Sequence, residues 1–281
     1  MQLRANFIKL VLGFPNDVNE VIYILRATSP DGTIWAYVKA LIFSLLLFAV
    51  GFAVEKKLYG PYFAKKYVVS RSKENPDGYF EKMPFLVFRF FMGVTGILVS
   101  MAVAYVVGFA IFGPLEDAAL QFTAGLINAA YFLSRLVAQI WRMILSPYLP
   151  QYRIPLLETG DAVRLHYWLV ALGTFDICRL HFALWVSELG LNYDVYAFMY
   201  SVLGAVVVLL NIVMILVNRA PLSRASRAGQ VPESCSGIVR TLSVMWAPAV
   251  IVYSVDAWVE VADGVGGGAP PDRPLRAGGS E

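Results

Sequence analysis

Within the apolar stretch TFDICRLHF, Asp176, Arg179 and His181 are the residues best suited to chemistry. Asp176 and Arg179 stand three positions apart and share one face of a helix. A lone charge at mid-bilayer costs about 2.5–3.5 kcal/mol on insertion scales, so the two offset each other or face protein. This spacing supports a structural ion pair holding one helix to its neighbour. The alternative is an ion or proton relay with His181 as a third member, which calls for further acidic partners in other apolar segments, and the sequence shows few.

The remaining intramembrane polar candidates are Arg135, Asn128 and Asn211. Arg135 and Arg142 fall toward the basic end of their segment, and Arg89 and Lys39 lie near ends of theirs, where long side chains snorkel to the interface. The asparagines are expected to hydrogen-bond across helices. Ala197, Ser201 and Ala205, and likewise Gly125 and Ala129, form small-residue stripes that permit close helix approach. No basic residue recurs at every third position of one helix, as a voltage sensor would require. The two histidines, His166 and His181, and the two cysteines, Cys178 and Cys235, have no metal-ligand spacing. Paired carboxylates and a glycine-rich phosphate loop are missing too, so neither an enzyme nor a cofactor is expected.

These residues must be positioned by membrane helices. The chain of 281 residues is 58% hydrophobic and 15% charged, far from a globular balance. A bilayer core of about 30 Å takes roughly 20 apolar residues per helix. Strand-like alternation is absent, and lipid admits only helices or closed barrels. The expected fold is all-α, a polytopic integral membrane helical bundle of about six transmembrane helices: Ile34 to Val54, Phe85 to Phe112, Ala118 to Ile144, Leu165 to Leu189, Val195 to Val217 and Ile238 to Val259. Pro248 is expected to kink the last of these. Trp35, Tyr37, Tyr167, Trp168, Trp185 and Trp258 fall near predicted interfaces, as membrane anchors do.

Basic residues assign sidedness. Lys56, Lys57, Lys65, Lys66, Arg71 and Lys73 form an expected cytoplasmic basic loop after the first span, joined by Lys82. Arg142, Arg153 and Arg164 mark the connection before the fourth span, and Arg219, Arg224 and Arg227 the one after the fifth. GPLEDAA and ELGLNYD carry no basic residue and are placed outside. The reading is a multi-pass protein of the cell inner membrane with both termini outside the cytoplasm. The net charge of +3, dispersed between apolar blocks, points away from nucleic acid and toward membrane lipids as partners.

Three regions follow: an amino-terminal interfacial segment over 1–33, a six-helix domain over 34–262, and a Gly/Pro-rich tail over 263–281 expected to be disordered. An amphipathic helix is expected over Val18 to Leu25. Phe7 to Leu12 followed by Pro15 lacks the cleavage site of a signal peptide, and the chain is expected to lack its natural beginning.

The connection SPYLPQYRIPLLETGDAVRLHYW is a shaped linker. Pro147 and Pro150 end the third helix, QYRIPLL runs extended, Thr159 offers an N-cap oxygen and Asp161 places negative charge in the next first turn. From Leu136 to Arg219, the order of ILSPYLPQYRIPLLETGDAVRLHYWLVAL, ELGL and a span closing in LVNR resembles the auxiliary membrane helices of large proteins in the MscS family of mechanosensitive channels. FAVEKKLYGPYFAKK is similar to that family's entry hairpin. The resemblance implies a homo-oligomeric channel, often a heptamer, that opens under tension and releases small solutes on osmotic downshock, with these helices coupling to lipid. The family's glycine- and alanine-rich pore helix and cytoplasmic β domain have no counterpart among these residues. Two expectations remain: a short protein that borrows the paddle-like helices, or a chain that stops ahead of the pore. A small secondary transporter and an accessory membrane subunit are the other function classes.

Overall fold

A computed structural model describes residues 19–74, 76, 78–190, 193–227 and 236–267, and among them every regular element is helical. Helix α1 covers residues 19–27, overlapping the expected amphipathic helix. Helix α2, Trp35–Val54, runs without a break into a π-helical segment, Glu55–Ala64, and then into α3, Lys65–Val69. The long helices that follow are α4, Gly78–Phe112; α5, Ala118–Leu145; α6, Thr159–Glu188; α7, Tyr193–Ser226; and α8, Gly237–Gly267. The last extends five residues into the tail expected to be disordered; the rest of the tail, residues 1–18 and Cys235 lie outside the described residues.

Among the described residues, four helices are long and apolar enough to cross a membrane: Trp35–Val69, Gly78–Phe112, Thr159–Glu188 and Met199–Ser226. The apolar stretch of α8, Ser243–Val259, is shorter. In α5, Gln121, Asn128, Arg135 and Arg142 recur every seventh position and lay a polar stripe along one side. Its place is nevertheless central, against α2, α4 and α6. Beyond it α6, α7 and α8 follow in a row, each packed chiefly on its neighbours in sequence.

The expected basic loop after the first span is helix. Lys56 and Lys57 lie in the π-helical segment, Lys65 and Lys66 in α3, and only Arg71 and Lys73 follow the helix end. Pro61 reads as a helix breaker because it lacks an N–H and crowds the carbonyl four residues back. The wider π turn accommodates it, and the Lys65 N–H bonds the Gly60 carbonyl, five residues back.

Caps set the other boundaries. The Asp117 carboxylate accepts from the Leu120 N–H at 2.8 Å and starts α5. Ser146, at φ 36°, turns the chain into the left-handed region and ends it. Gly113 and Gly190, at φ 72° and 92°, end α4 and α6 where a side chain would be strained. The following connection departs from its expected form. Pro150–Tyr152 is a 3₁₀ turn, so the extended run begins only at Arg153. Glu158 occupies the N-cap of α6, and the Thr159 hydroxyl instead faces Arg153 Nη2 at 3.4 Å.

Two side chains hold that connection in place. Tyr152, 1% exposed, stacks on Phe85 at 4.0 Å between ring centroids. Its hydroxyl accepts from the Lys73 N–H at 2.7 Å and donates to the Lys73 carbonyl at 3.2 Å. Arg153 donates from Nε to the Leu145 carbonyl at 3.1 Å and from Nη1 to the Leu157 carbonyl, joining the end of α5 to the approach to α6. These carbonyls would otherwise be buried without partners.

Candidate functional site

The polar stripe of α5 meets an acid that the sequence reading left among the loop residues. Glu55, the first residue of the π-helical segment, receives Arg135 Nη2 on both carboxylate oxygens, at 2.7 and 2.8 Å. Both side chains are less than one-fifth exposed, at 19% for Arg135 and 16% for Glu55. Arg135 therefore does not snorkel. The pair is close, desolvated and charge-assisted.

Its surroundings complete the arrangement. Arg135 Nη1 donates to the Tyr131 hydroxyl at 3.0 Å, and that hydroxyl lies 3.4 Å from Ser100 Oγ on α4. The guanidinium also sits 4.9 Å from the Phe52 ring centroid, a cation–π contact that covers its face. Phe48 stacks on Tyr131 at 4.0 Å. Two glycines let the helices approach this closely. A Cβ on Gly51 would stand 2.1 Å from the Ser100 carbonyl oxygen, and one on Gly96 would stand 3.3 Å from Glu55 Oε1. The Tyr59 hydroxyl, one turn farther along the π-helical segment, donates to the Met92 carbonyl at 2.9 Å.

Asp176 and Arg179 do form the expected ion pair on α6, at 2.9 Å. Arg179 is 11% exposed and Asp176 41%, so the cation is buried and the carboxylate is partly open. Arg179 lies 4.6 Å from the Tyr200 ring centroid on α7, tying the two helices together. His181 does not join them: its Nδ1 lies 2.8 Å from the Ile177 carbonyl of its own helix. Packing of Val137 on Gly173, and the 2.8 Å bond from Trp185 Nε1 to Thr123 Oγ1, fix the antiparallel register of α5 and α6. That register sets Asp176 level with Arg135.

Other expected site residues lie elsewhere. Asn128 donates to the Ala124 carbonyl of its own helix at 2.8 Å rather than across helices. Asn211 is half-buried on α7. A Cβ on Gly125 would meet nothing within 4 Å, so that stripe is open and not a close approach. The Ser201 stripe is occupied: its carbonyl accepts from Trp258 Nε1 at 2.9 Å. Trp185, expected as a membrane anchor, bonds Thr123 and meets Tyr37 edge-on at 5.4 Å. Arg71 rests 4.0 Å from the Phe88 ring centroid, and Lys73 pairs with Glu81 at 3.2 Å.

At the basic ends of α6 and α7, Arg224 pairs with Glu158 at 3.1 Å and Asp161 at 2.9 Å, while Arg164 pairs with Asp161 at 2.7 Å. Arg164 Nε also donates to Asn218 Oδ1 at 3.3 Å, and Asn218 is wholly buried. Among the described residues no group of three or more metal-ligating side chains converges. A shallow crevice between α6 and α7, lined by Phe182, Val186, Met199, Tyr200 and their neighbours, encloses no space for even a water molecule. Small-molecule sites run to about 300–1,000 Å³.

The signal that could have singled out Glu55 is its placement directly after a 20-residue apolar helix, where an acid needs a partner; its pairing with Arg135 has no local signal. Comparison with protein-family models, with curated proteins and with solved structures finds no match to this chain.

Proposed function

We propose that this chain is the membrane-embedded, lipid- and tension-coupling region of a mechanosensitive channel-like assembly, contributing to solute release on osmotic downshock. The observation that carries the reading is the row formed by α5, α6, α7 and α8, each packed on its neighbours in sequence. A row one helix thick presents apolar side chains to lipid along its length. Leu180 and Leu184 on α6, Leu209 and Leu216 on α7 and Val252 on α8 are all exposed. Such a row transmits force from lipid because each helix is held by its neighbours in sequence, through one apolar cluster of Leu145, Leu165, Leu172, Met214, Ile215 and Ala247 and a few polar side chains. One ion pair and one cation–π contact then act as latches between neighbours: Glu55 with Arg135 joins the π-helical segment after α2 to α5, and Arg179 over the Tyr200 ring joins α6 to α7. Orientation follows the basic residues, with both termini outside the cytoplasm and the inner membrane as the site. A homo-oligomer around a pore belongs to the same proposal.

The test is a distance measurement. With Cys178 and Cys235 replaced by serine, spin labels at Leu45 on α2 and Leu209 on α7 report the spread of the bundle in liposomes. Lysolipid added to one leaflet mimics tension, and it is expected to shift the distance distribution reversibly. An unchanged distribution, together with tension-independent liposome leakage, sinks the coupling reading. Solute uptake abolished by Asp176→Asn identifies a small secondary transporter instead. A distribution that changes only when a second protein is co-reconstituted identifies a pore-less accessory subunit.

A further inference from the structure

Arg89 on α4, Arg142 in the last turn of α5 and His166 near the start of α6 come to one end of the bundle from three helices. Gly93 lies against Gln139, so one turn farther on Arg89 is level with Arg142. Leu145 and Leu165 share one packed cluster, which brings His166 to the same level.

Nothing in the described chain neutralises this cluster. Arg89 Nη1 and His166 Nδ1 are buried without a hydrogen-bond partner. Among the described residues no carboxylate pairs with Arg89 or Arg142. Arg135, Arg164, Arg179 and Arg224 each have a carboxylate, and Arg153 has carbonyls. A mostly buried guanidinium with an unused donor, brought level with a second cation, is costly unless an anion completes it. A guanidinium presents a planar fork that matches phosphate oxygens.

The rim shows what carries the phosphate. The Tyr148 and Tyr167 hydroxyls lie 3.2 Å apart on exposed side chains, as interfacial aromatics do. Val87 and Phe91, flanking Arg89 on α4, are exposed. An apolar face beside a basic cluster at the lysine- and arginine-rich end fits a lipid better than a soluble ion. We propose that Arg89, Arg142 and His166 form a phosphate-binding site filled by the headgroup of an anionic phospholipid whose acyl chains lie along this face of α4. The site does not depend on the tension-coupling reading and stands equally for a carrier or an accessory subunit.

The full chain in neutral detergent, titrated with phosphatidylglycerol, phosphatidylcholine or inorganic phosphate, provides the test through its melting temperature and through native mass spectrometry. Phosphatidylglycerol is expected to raise the melting temperature and remain bound, while phosphatidylcholine does neither. Arg142→Gln and the double variant Arg89→Gln/Arg142→Gln are expected to weaken the apparent affinity at least tenfold, an expectation drawn from the loss of a charge-assisted bond. Arg224→Gln, which alters a carboxylate-paired cation, retains the response. Without lipid, Arg89→Gln is expected to melt higher than the parent because a repulsive charge is gone, and with phosphatidylglycerol to lose that advantage. If Arg89→Gln does not fold, Arg142→Gln at an exposed position still decides the matter. Stabilisation by inorganic phosphate as large as or larger than that by phosphatidylglycerol overturns the lipid as the source. No response to either anion, or variants that respond like the parent, overturns the site.

Discussion

The Glu55–Arg135 pair yields the most demanding prediction. Its charges meet at 2.7 Å with each side chain less than one-fifth exposed, at 19% and 16%. With charge centres about 4 Å apart and an effective dielectric constant of about 20, the attraction is about 4 kcal/mol. Removing one partner leaves the other buried and uncompensated, a loss measured at about 3–5 kcal/mol in comparable pairs. Arg135→Leu is therefore expected to destabilise the chain by about that amount, with Glu55→Leu close behind. The double variant Glu55→Leu/Arg135→Leu removes both charges and is expected to recover most of the loss, because paired burial is roughly neutral against apolar packing. The assay is reversible denaturation in mixed micelles followed by helical circular dichroism, closed as a double-mutant cycle. A coupling energy above about 2 kcal/mol supports the reasoning. If the double variant is as unstable as the sum of the singles, the pair contributes only packing and the latch reading collapses with it.

Other expectations follow from the same contacts. Gly51→Ala forces a Cβ to within 2.1 Å of the Ser100 oxygen and is expected to cost about 1–3 kcal/mol as α2 and α4 separate, whereas Gly125→Ala enters open space and gains up to about 1 kcal/mol of helix propensity; parallel melting curves compare them. Arg153→Met orphans the Leu145 and Leu157 carbonyls at roughly 1–3 kcal/mol each, and Arg153→Lys does not restore them because an ammonium lacks the fork; proteolysis within residues 146–158 reads the loss. Tyr152→Phe is expected to free the backbone of Lys73, seen as faster amide exchange there. Hydrogen bonds from Ser29 and Thr33 hold the Asp31 carboxyl below its ordinary value of 3.8. Its folded pKa is depressed, so its contribution is complete above that value and is lost as pH falls through the folded pKa. Protease access to the turn at residues 28–33 should then increase in acid, and Asp31→Asn should show the same access at neutral pH; equal access at all pH values contradicts this.

The all-helical membrane class was legible in the sequence because long apolar runs leave the backbone no other way to satisfy itself in lipid. The Asp176–Arg179 pair was legible for a similar reason: partners three residues apart are set by helix geometry alone. So were the end of α5 at Ser146 and the acidic first turn of α6, which depend on a proline, a turn residue and a local charge.

Glu55 and Arg135 were not legible as a pair, being 80 residues apart in sequence. The charges around Glu55 and the proline at position 61 read as a loop, and only packing on α4 and α5 makes a continuous helix with a π turn favourable there. The stripe of α5 reads equally as snorkelling cations or as an inward polar face. Arg89, Arg142 and His166 each look ordinary near a helix end and become a cluster only when three helices bring them level. Local hydrogen bonding and hydropathy act within a few residues and were determined by the sequence by itself. The pairing of distant charges depends on which helix faces touch, and only the tertiary structure decided that.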